Sequence, residues 1–333
     1  MTLELYPTLV CNLSCRFCDT TLRHQKPVDE LSDARLLAIV DEAAAMGASR
    51  LFVLGGGEPL VRRKATPAVM RRAKELGMEG ILTTNGTIFP PGFVEQLLDT
   101  AWDEVHVSLD GPTAAIHDDL RGQAGAFDKT VKHLCRLNVA KKRAGLAFPR
   151  LALHFVLTNR NHRTLSDMVR LAHALGCFRV DFDALIAYAP EQEALQLSDA
   201  ERAEVPGLAA AALELARELG VATTLENFLA PDNLQRGTSA PTSAHQTGDP
   251  YKDAPCLKAW HYLVVQADGR TSPCCVLAGE GESVSSTPVR EVWEDGAFLG
   301  RVREGMLAGE PLPRCRECSP NILAHERVIA SQL

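Results

Sequence analysis

Short apolar runs alternate with amphipathic segments along the first two thirds of the chain. Residues 3–10 are mostly apolar, and residues 50–54 form an apolar run that ends at three glycines, as buried parallel strands do. Between these runs, apolar residues recur at helical spacing from Leu36 to Ala43, and Gly47 follows as a stop signal. The alternation then predicts strands near residues 80–83, 104–109, 151–158 and 178–185, and helices near residues 92–98, 127–137, 165–175 and 199–219.

Six βα repeats in succession predict an α/β fold in which helices cover a parallel sheet. Periodicity does not decide whether such a sheet closes, but six units correspond to an open, partial (β/α)6 version of the eight-unit TIM-type barrel. The functional site of such a barrel is expected at the carboxyl ends of its strands.

The repeats stop where the chain becomes rich in Pro, Gly, Ser, Thr and Gln. We expect a flexible connection over residues 229–255. A β-hairpin is predicted next, from residues 262–266 and 271–275, followed by one or two helices over residues 289–306. The predicted domains are therefore a barrel over residues 1–228 and a small C-terminal domain over residues 256–333.

Composition and charge exclude several function classes. The chain has 333 residues, 46% of them hydrophobic, and a formal net charge of -7, so it offers no basic field for nucleic acid or anionic lipid. Its start includes Glu4 and Pro7 and does not resemble a signal peptide, and no uninterrupted run of about 18 apolar residues occurs. We therefore expect a cytoplasmic protein without nucleic-acid or membrane partners, in which grouped cysteines serve metal or redox chemistry.

Eight of the ten cysteines lie in two groups. Cys11, Cys15 and Cys18 form the first group, in one loop after the first strand. Three thiolates in a tight loop can bind three corners of a cubic four-iron, four-sulfur (4Fe–4S) cluster, which leaves one iron without a protein ligand. An open coordination position of this kind accepts a small molecule. Cys135 and Cys177 stand alone and are expected to be buried apolar residues.

The first group resembles the signature of the radical S-adenosylmethionine (SAM) family, C-x3-C-x2-C with an aromatic residue, Phe17, before the last cysteine. Three later segments at strand ends strengthen the resemblance: residues 56–59 resemble the family's GGEP motif, residues 83–86 its TNG segment and residues 108–112 its SLDGP segment. The resemblance implies that the open iron is chelated by the amino and carboxylate groups of SAM. The SAM contacts that it implies are Gly56, Gly57, Glu58, Pro59, Thr84, Asn85, Ser108, Asp110 and Asn159.

The second group resembles the shortened auxiliary-cluster domain called twitch, a relative of the longer SPASM domain. The implied ligands of one further 4Fe–4S cluster are Cys256, Cys274 at a Gly-x4-Cys spacing, and the pair Cys315 and Cys318. Cys275 could replace Cys274, because adjacent residues of a strand point to opposite sides. A structural zinc ion on the same four thiolates is the alternative. The one-cluster layout resembles that of 2-deoxy-scyllo-inosamine dehydrogenase.

The resemblance implies an enzyme that reductively cleaves SAM to a 5'-deoxyadenosyl radical, which abstracts hydrogen from a substrate. We expect oxidation of a small molecule with the second cluster as electron acceptor, because no leader-peptide-binding module precedes the first strand and no cysteine follows Cys318. The alternatives are modification of a peptide or protein, as in peptide natural-product or sulfatase maturases, and a non-catalytic zinc or iron–sulfur binding protein. Expected partners are the substrate and an electron donor such as flavodoxin or ferredoxin.

Strand parity ranks the side chains that could handle the substrate proton. If Ser108 faces the cofactor, alternation turns the residues two positions to either side of it the same way. The sixth strand carries two aspartates on one face, which would be costly to bury without partners. His154 has the parity opposite to that of Asn159 and is expected to face the helices. The resulting candidates for catalysis are His106, Asp110, Asp181 and Asp183, with a structural polar role open for each.

Overall fold

The fold consists mainly of parallel strands joined by helices. The structure is a computed structural model and describes residues 1–18, 29–187, 189–230, 251 and 255–318. The strands are β1 (Thr2–Leu5), β2 (Arg50–Val53), β3 (Glu79–Thr84), β4 (Glu104–Ser108), β5 (Arg150–Leu157), β6 (Arg179–Ala184), β7 (Ala222–Thr223), β8 (Tyr262–Val265) and β9 (Thr271–Ser272). The helices are α1 (Asp33–Ala45), α2 (Ala65–Glu75), α3 (Phe93–Asp99), α4 (Ala114–Arg121), α5 (Ala126–Ala144), α6 (Leu165–Ala174), α7 (Pro190–Glu193), α8 (Asp199–Leu219), α9 (Lys258–His261), α10 (Val289–Asp295) and α11 (Ala297–Leu307).

Local sequence signals account for the ends of the principal helices. Ser32 caps α1 by accepting a hydrogen bond from the N–H of Arg35. Ser198 and Glu201 form a capping box at the start of α8. α5 ends at Gly145, which has the left-handed conformation common after helices. The six predicted barrel strands and the five predicted helices among them are all present, although α5 extends seven residues beyond its predicted end at residue 137.

The structure also contains helices that the sequence did not predict. α2 was missed although Val69, Met70 and Ala73 are buried at helical spacing and cations occupy its last turn. α4 buries His117 and Arg121, so polar residues on its inner face hide the helical pattern. The first strand is shorter than predicted because it ends at Leu5, before Pro7, which has no N–H to extend a ladder. None of the described helices is both long enough and apolar enough to cross a membrane.

The first of two compact units joins the beginning and the end of the chain and comprises Met1–Leu9, Pro27–Gly80 and Ala240–Leu333. Its strands lie in the order β2-β1-β8-β9. β1 pairs in parallel with β2 and with β8, and β8 and β9 form the predicted antiparallel hairpin. β9 is shorter than predicted because it ends before Pro273. The C-terminal hairpin therefore extends the same sheet that holds the first βα repeat.

The second compact unit comprises Val10–Lys26 and Ile81–Ser239. Its strands, in the order β3-β4-β5-β6-β7, are all parallel. One face of this sheet packs on helices, since the side chains of Val107 in β4 and Thr130 in α5 meet beside Gly86. Because side chains alternate along a strand, the opposite face of β4 carries its polar residues, Glu104, His106 and Ser108.

Replacing Gly86 by Ala is expected to destabilise the protein more than the same change at Gly145. Both glycines have positive φ, +72° and +65°, so both variants are strained. A Cβ at Gly86 would also lie 2.8 Å from the side chains of Val107 and Thr130, whereas nothing lies within 4 Å of one at Gly145. We expect the free energy of unfolding, measured with urea, to fall by about 3 kcal/mol in Gly86→Ala and about 1 kcal/mol in Gly145→Ala. Equal losses would contradict this packing.

Candidate functional site

The cysteine loop, residues 10–18, contains the first group of thiols and belongs to the second unit. Cys15 is buried and packs, together with the half-buried Cys18, against Ala126 at the start of α5. The N–H of Cys18 donates to the carbonyl of Cys15 at 3.2 Å, which closes a tight turn between them. Cys11 is exposed. Burial raises the pKa of the Cys15 thiol to about 11, so a metal bound there must displace its proton.

The end of α4 holds the cysteine loop from one side. The N–H of Arg16 donates to the carbonyl of Leu120 at 2.9 Å, and the Arg16 side chain pairs with Asp119 at 2.6 Å. Gly122, directly after α4, has a φ of +64°, and a Cβ there would lie 2.3 Å from the carbonyl oxygen of Ser14. The close approach of these two backbones therefore requires glycine at this position.

The TNG segment holds the loop from another side. Asn85 Nδ2 donates to Asn12 Oδ1 at 3.0 Å, and Asn85 Oδ1 accepts from the N–H and the hydroxyl of Thr87 at 2.9 and 2.6 Å. Thr84 accepts a hydrogen bond from the N–H of Gly86 at 3.1 Å. Asn85 and Thr84 were predicted from the family resemblance as SAM contacts. Here they stabilise the turn after β3 and, through Asn12, the cysteine loop.

Asp110, in the SLDGP segment, is fully buried in an ion pair with Arg121. Its Oδ2 accepts from Arg121 Nε at 2.5 Å, and its Oδ1 accepts from the N–H of Val156 at 2.9 Å. Arg121 Nη1 in turn lies 3.7 Å from Cys15 Sγ. The N–H of Asp110 donates to His117 Nδ1 at 3.1 Å. These contacts favour a structural role for Asp110 over the catalytic one that strand parity suggested.

The GGEP motif lies in the first unit. Glu58 is 2% exposed, and its carboxylate caps a short 3-10 helix, Pro59–Val61, by accepting from the N–H of Leu60 at 3.0 Å. The N–H of Gly57 donates to the carbonyl of Thr8 at 3.1 Å. One carboxylate oxygen of Glu58 thus accepts a hydrogen bond from the protein backbone. Gly56, which precedes this turn, is half-buried.

Two asparagines follow β5, and sequence reasoning identified only the first. Asn159 is held by its N–H and Nδ2, which donate to the carbonyls of Leu195 and Ala194, both at 2.9 Å. Its Oδ1 is buried and has no hydrogen-bond partner among the described residues. Asn161 was missed, although it is 1% exposed and donates to the carbonyl of Asp110 at 2.9 Å. Only its position just after a strand hinted at this role.

A chain of hydrogen-bonded titratable groups joins two strands of the second unit, β4 and β5. Glu104 Oε2 lies 2.7 Å from His106 Nε2, and His106 Nδ1 lies 3.0 Å from His154 Nε2. Arg150 also pairs with Glu104. Burial lowers the pKa of His106 to about 4, and the neighbouring His154 acts in the same direction. The prediction that His154 faces the helices was wrong, since it shares the face of His106.

The two aspartates of β6 differ in their surroundings. Asp181 is buried, pairs with Arg179 at 2.9 Å and lies 3.7 Å from His154 Nε2. Burial raises the pKa of Asp181, and the Arg179 guanidinium opposes this shift. Asp183 is exposed. Ser108, half-buried at the end of β4, is the register partner of His154, so the polar chain reaches the carboxyl end of the sheet.

Four cysteines of the second group surround one cavity in the first unit. Cys256, Cys274, Cys315 and Cys318 line a space of about 30 Å³ together with Tyr251. The Tyr251 hydroxyl donates to the carbonyl of Cys315 at 2.6 Å, and the residue is 6% exposed. Burial raises the pKa of Cys315 to about 11 and that of Cys318 to about 12. Tyr251 lies within the predicted flexible connection, but its hydrogen bond and burial hold it at this cavity. Residues 231–250 and 252–254 of that connection lie outside the described residues.

The arrangement around this cavity separates the adjacent cysteines. Cys274 lines the cavity, whereas Cys275 is exposed and does not. Among the described residues, no group of three or more His, Cys, Asp or Glu side chains converges on a point suited to a single metal ion. Four thiols around one cavity are the number of ligands that a 4Fe–4S cluster takes.

Two family models match the chain. The Radical SAM superfamily matches residues 5–172, about half of the chain, and the SPASM iron-sulfur cluster-binding domain matches residues 256–319. The AdoMet-dependent heme synthase of Methanosarcina barkeri is 27% identical over 89% of this chain and 83% of its own length. The PqqA peptide cyclase of Granulibacter bethesdensis is 27% identical over 92% of this chain and 76% of its own length.

Solved structures show the fold. SuiB from Streptococcus suis bound to S-adenosylmethionine matches with a TM-score of 0.68 at 17% identity, over 91% of this chain and 67% of its own. anSMEcpe with bound AdoMet and Cp18Cys peptide matches with a TM-score of 0.62 at 17% identity, over 97% of this chain and 87% of its own. The predicted partial barrel with a C-terminal SPASM-like domain is therefore confirmed.

The comparisons do not support two finer predictions. BtrN in complex with AdoMet and 2-DOIA matches with a TM-score of only 0.45 at 12% identity, so the expected likeness to 2-deoxy-scyllo-inosamine dehydrogenase is unconfirmed. The peptide cyclase and a mycofactocin maturase of Mycobacterium tuberculosis, which is 33% identical over 51% of this chain and 41% of its own length, favour the peptide-modifying alternative over the predicted oxidation of a small molecule.

The variant His117→Asn is expected to weaken the acid sensitivity of the protein. Burial lowers the pKa of His117 to about 4 from 6.5, so between these values the unfolded chain binds more protons and stability falls as the pH falls. This residue then lowers the free energy of unfolding by about 2 kcal/mol between pH 7 and pH 5. Asn keeps an acceptor near the position of Nδ1 for the N–H of Asp110 but does not titrate.

Urea unfolding of the anaerobic protein at both pH values measures the effect. His173→Asn, which removes an exposed histidine, should leave the difference between the two pH values unchanged. An undiminished difference in His117→Asn would show that His117 is not the source.

Proposed function

The chain belongs to the radical SAM superfamily, and we propose that it uses SAM to modify a peptide or protein substrate, with a second 4Fe–4S cluster as electron acceptor. The observation that carries this proposal is the pairing of a partly exposed three-cysteine loop with a buried four-cysteine cavity. The peptide cyclase relative, aligned over 92% of this chain, supports the peptide substrate. When bound, SAM and the first cluster supply a 5'-deoxyadenosyl radical that abstracts hydrogen.

The residues of the loop hold and shield the first cluster in this proposal. Cys11, Cys15 and Cys18 are its ligands, and the exposure of Cys11 leaves one side accessible to SAM. Asn85, through Asn12, and Asp110, through Arg121, keep the loop in place. The proposed SAM contacts remain Gly56, Gly57, Glu58, Pro59, Thr84, Asn85, Ser108, Asp110 and Asn159.

The second cluster is assigned to Cys256, Cys274, Cys315 and Cys318. Four thiolates would occupy all of its corners, which suits a cluster that passes electrons and binds no substrate. An apolar lining that includes Leu277, Val302 and Met306 excludes water from it. The division into a barrel over residues 1–228 and a cluster domain over residues 256–333 is proposed on the same basis.

A proton leaving the substrate radical is proposed to enter the chain of polar groups on the inner face of the sheet. His106, His154 and Asp181 are linked by contacts of 3.0 and 3.7 Å, and a histidine that is neutral at pH 7 can accept a proton. Asp183 is exposed beside this chain. The electron that reduces the first cluster is expected from a flavodoxin or a ferredoxin.

The heme synthase relative motivates a second candidate. It aligns over 89% of this chain and 83% of its own length. A precursor of heme is then the alternative substrate class.

To separate the two candidates, the anaerobically reconstituted, dithionite-reduced protein is incubated with SAM and one of two substrates. The first is a set of peptides encoded beside its gene, and the second is an iron porphyrin. Formation of 5'-deoxyadenosine and a mass change confined to the peptide supports the main proposal. Conversion of the porphyrin alone would replace it by the second candidate.

Cys15→Ala should abolish 5'-deoxyadenosine formation and lower the iron content from about eight to about four per chain. Cys135→Ala should do neither, since Cys135 lies outside both groups and is exposed, not buried as predicted.

The variant Cys318→Ser is expected to separate cleavage of SAM from product formation. Removing one of four ligands should lower the iron content from about eight to about four per chain while 5'-deoxyadenosine still forms. Modified product should fall at least tenfold, because the substrate electron then lacks its acceptor. Cys275→Ser is the matched control and should keep both iron and product, since Cys275 does not line the cavity. Loss of iron in Cys275→Ser but not in Cys274→Ser would reverse the ligand assignment.

A further inference from the structure

Arg121 is a buried cation directed at a proposed cluster ligand. It is the last residue of α4, and its side chain is 10% exposed. Its Nη1 lies 3.7 Å from Cys15 Sγ, and its guanidinium carbon lies 5.2 Å from the centre of the Phe17 ring. The guanidinium is thus held against the cysteine loop from two directions.

Asp110 fixes the position of this guanidinium. It is 0% exposed and accepts from Arg121 Nε at 2.5 Å. Its own place is set by the N–H of Val156 at 2.9 Å, by Asn161, which donates to its carbonyl at 2.9 Å, and by His117. These contacts fix the carboxylate, so Arg121 could move away from Cys15 only by breaking its ion pair with Asp110. The ion pair therefore keeps the guanidinium at Cys15.

Burying two charges is costly, and an apolar pair of similar volume is often at least as stable. A buried pair therefore calls for a role beyond stability. Because reduction adds an electron to an iron–sulfur cluster, a nearby cation and a hydrogen bond to a ligand sulfur both favour the reduced form. A fixed anion beside that cation partly cancels its effect.

We propose that Arg121 is a positioning residue that donates to the Cys15 thiolate of the first cluster and raises its reduction potential, and that Asp110 holds Arg121 in place and moderates this effect. The proposal rests on the proposed function, because it takes Cys15 as a cluster ligand. It assigns opposite electrostatic effects to two adjacent side chains, and a purely structural pair would not produce them.

The test is a reductive titration of the anaerobic, cluster-loaded protein followed by electron paramagnetic resonance, in a Cys318→Ser background that leaves the first cluster alone. Arg121→Gln keeps a donor but removes the charge. It should lower the ratio of reduced to oxidised cluster about tenfold at a given potential, or about 59 mV for one electron. Asp110→Asn keeps an acceptor for Val156 and should raise the ratio by a similar factor.

Two further variants keep the test decisive. Arg16→Gln removes a cation from the same loop, but its side chain is 52% exposed and its charge is screened, so the ratio should stay within twofold of the parent. If Arg121→Gln does not retain iron, Arg121→Lys retains the charge and should stay within threefold of the parent. Shifts of the same sign in Arg121→Gln and Asp110→Asn, no shift in either, or a tenfold fall in Arg121→Lys would overturn the proposal.

The outcome also distinguishes this inference from the proposed function. A parent protein that holds no iron at the cysteine loop and forms no 5'-deoxyadenosine would overturn both. If the parent cleaves SAM but the reduction potential of its first cluster does not change in the charge variants, only the role of Arg121 is overturned.

Discussion

The buried ion pair between Asp110 and Arg121 is the interaction on which the cysteine loop depends. One carboxylate joins the end of β4, the N–H of Val156 in β5, the last turn of α4 and, through the guanidinium, the thiol of Cys15. Removing either charge would leave the other buried and unpaired, which typically costs about 3–5 kcal/mol. The pair therefore connects the stability of the second unit to the position of a proposed cluster ligand.

Much of the fold was predictable because strands and helices with one apolar face leave a periodic signal. α8 has the predicted bounds, and its capping box can be read from Ser198 and Glu201. The signal fails where an element ends. β5 ends at Leu157, so the alternation along it does not extend to Asn159, and the direction of His154 was inferred wrongly from that residue. Periodicity locates residues on an element, but it does not extend through the turn that follows.

Contacts between distant segments were not predictable for a different reason. β1 and β8 are short apolar runs that would suit any parallel neighbour, so nothing local specifies that they pair. The same holds for the hydrogen bond from Tyr262 in β8 to the buried Glu4 in β1, and for Tyr251, whose polar neighbours in the chain give no sign that it packs on the auxiliary cavity. Motif spacing located the thiols, but only the three-dimensional structure identified the residues that hold them.

The two cysteine sites differ in ways that suit different roles. The first has an exposed thiol, Cys11, and a cation beside a buried one, which fits a cluster that must accept both an electron and a ligand. At the second, Cys315 and Cys318 are 6% and 8% exposed, and the Tyr251 hydroxyl donates to a backbone carbonyl instead of a sulfur. Hydrogen bonds to sulfur, nearby charge and exposure all tune the potential of such clusters. The two sites therefore differ in the side chains around the proposed ligands, since those ligands are cysteines at both.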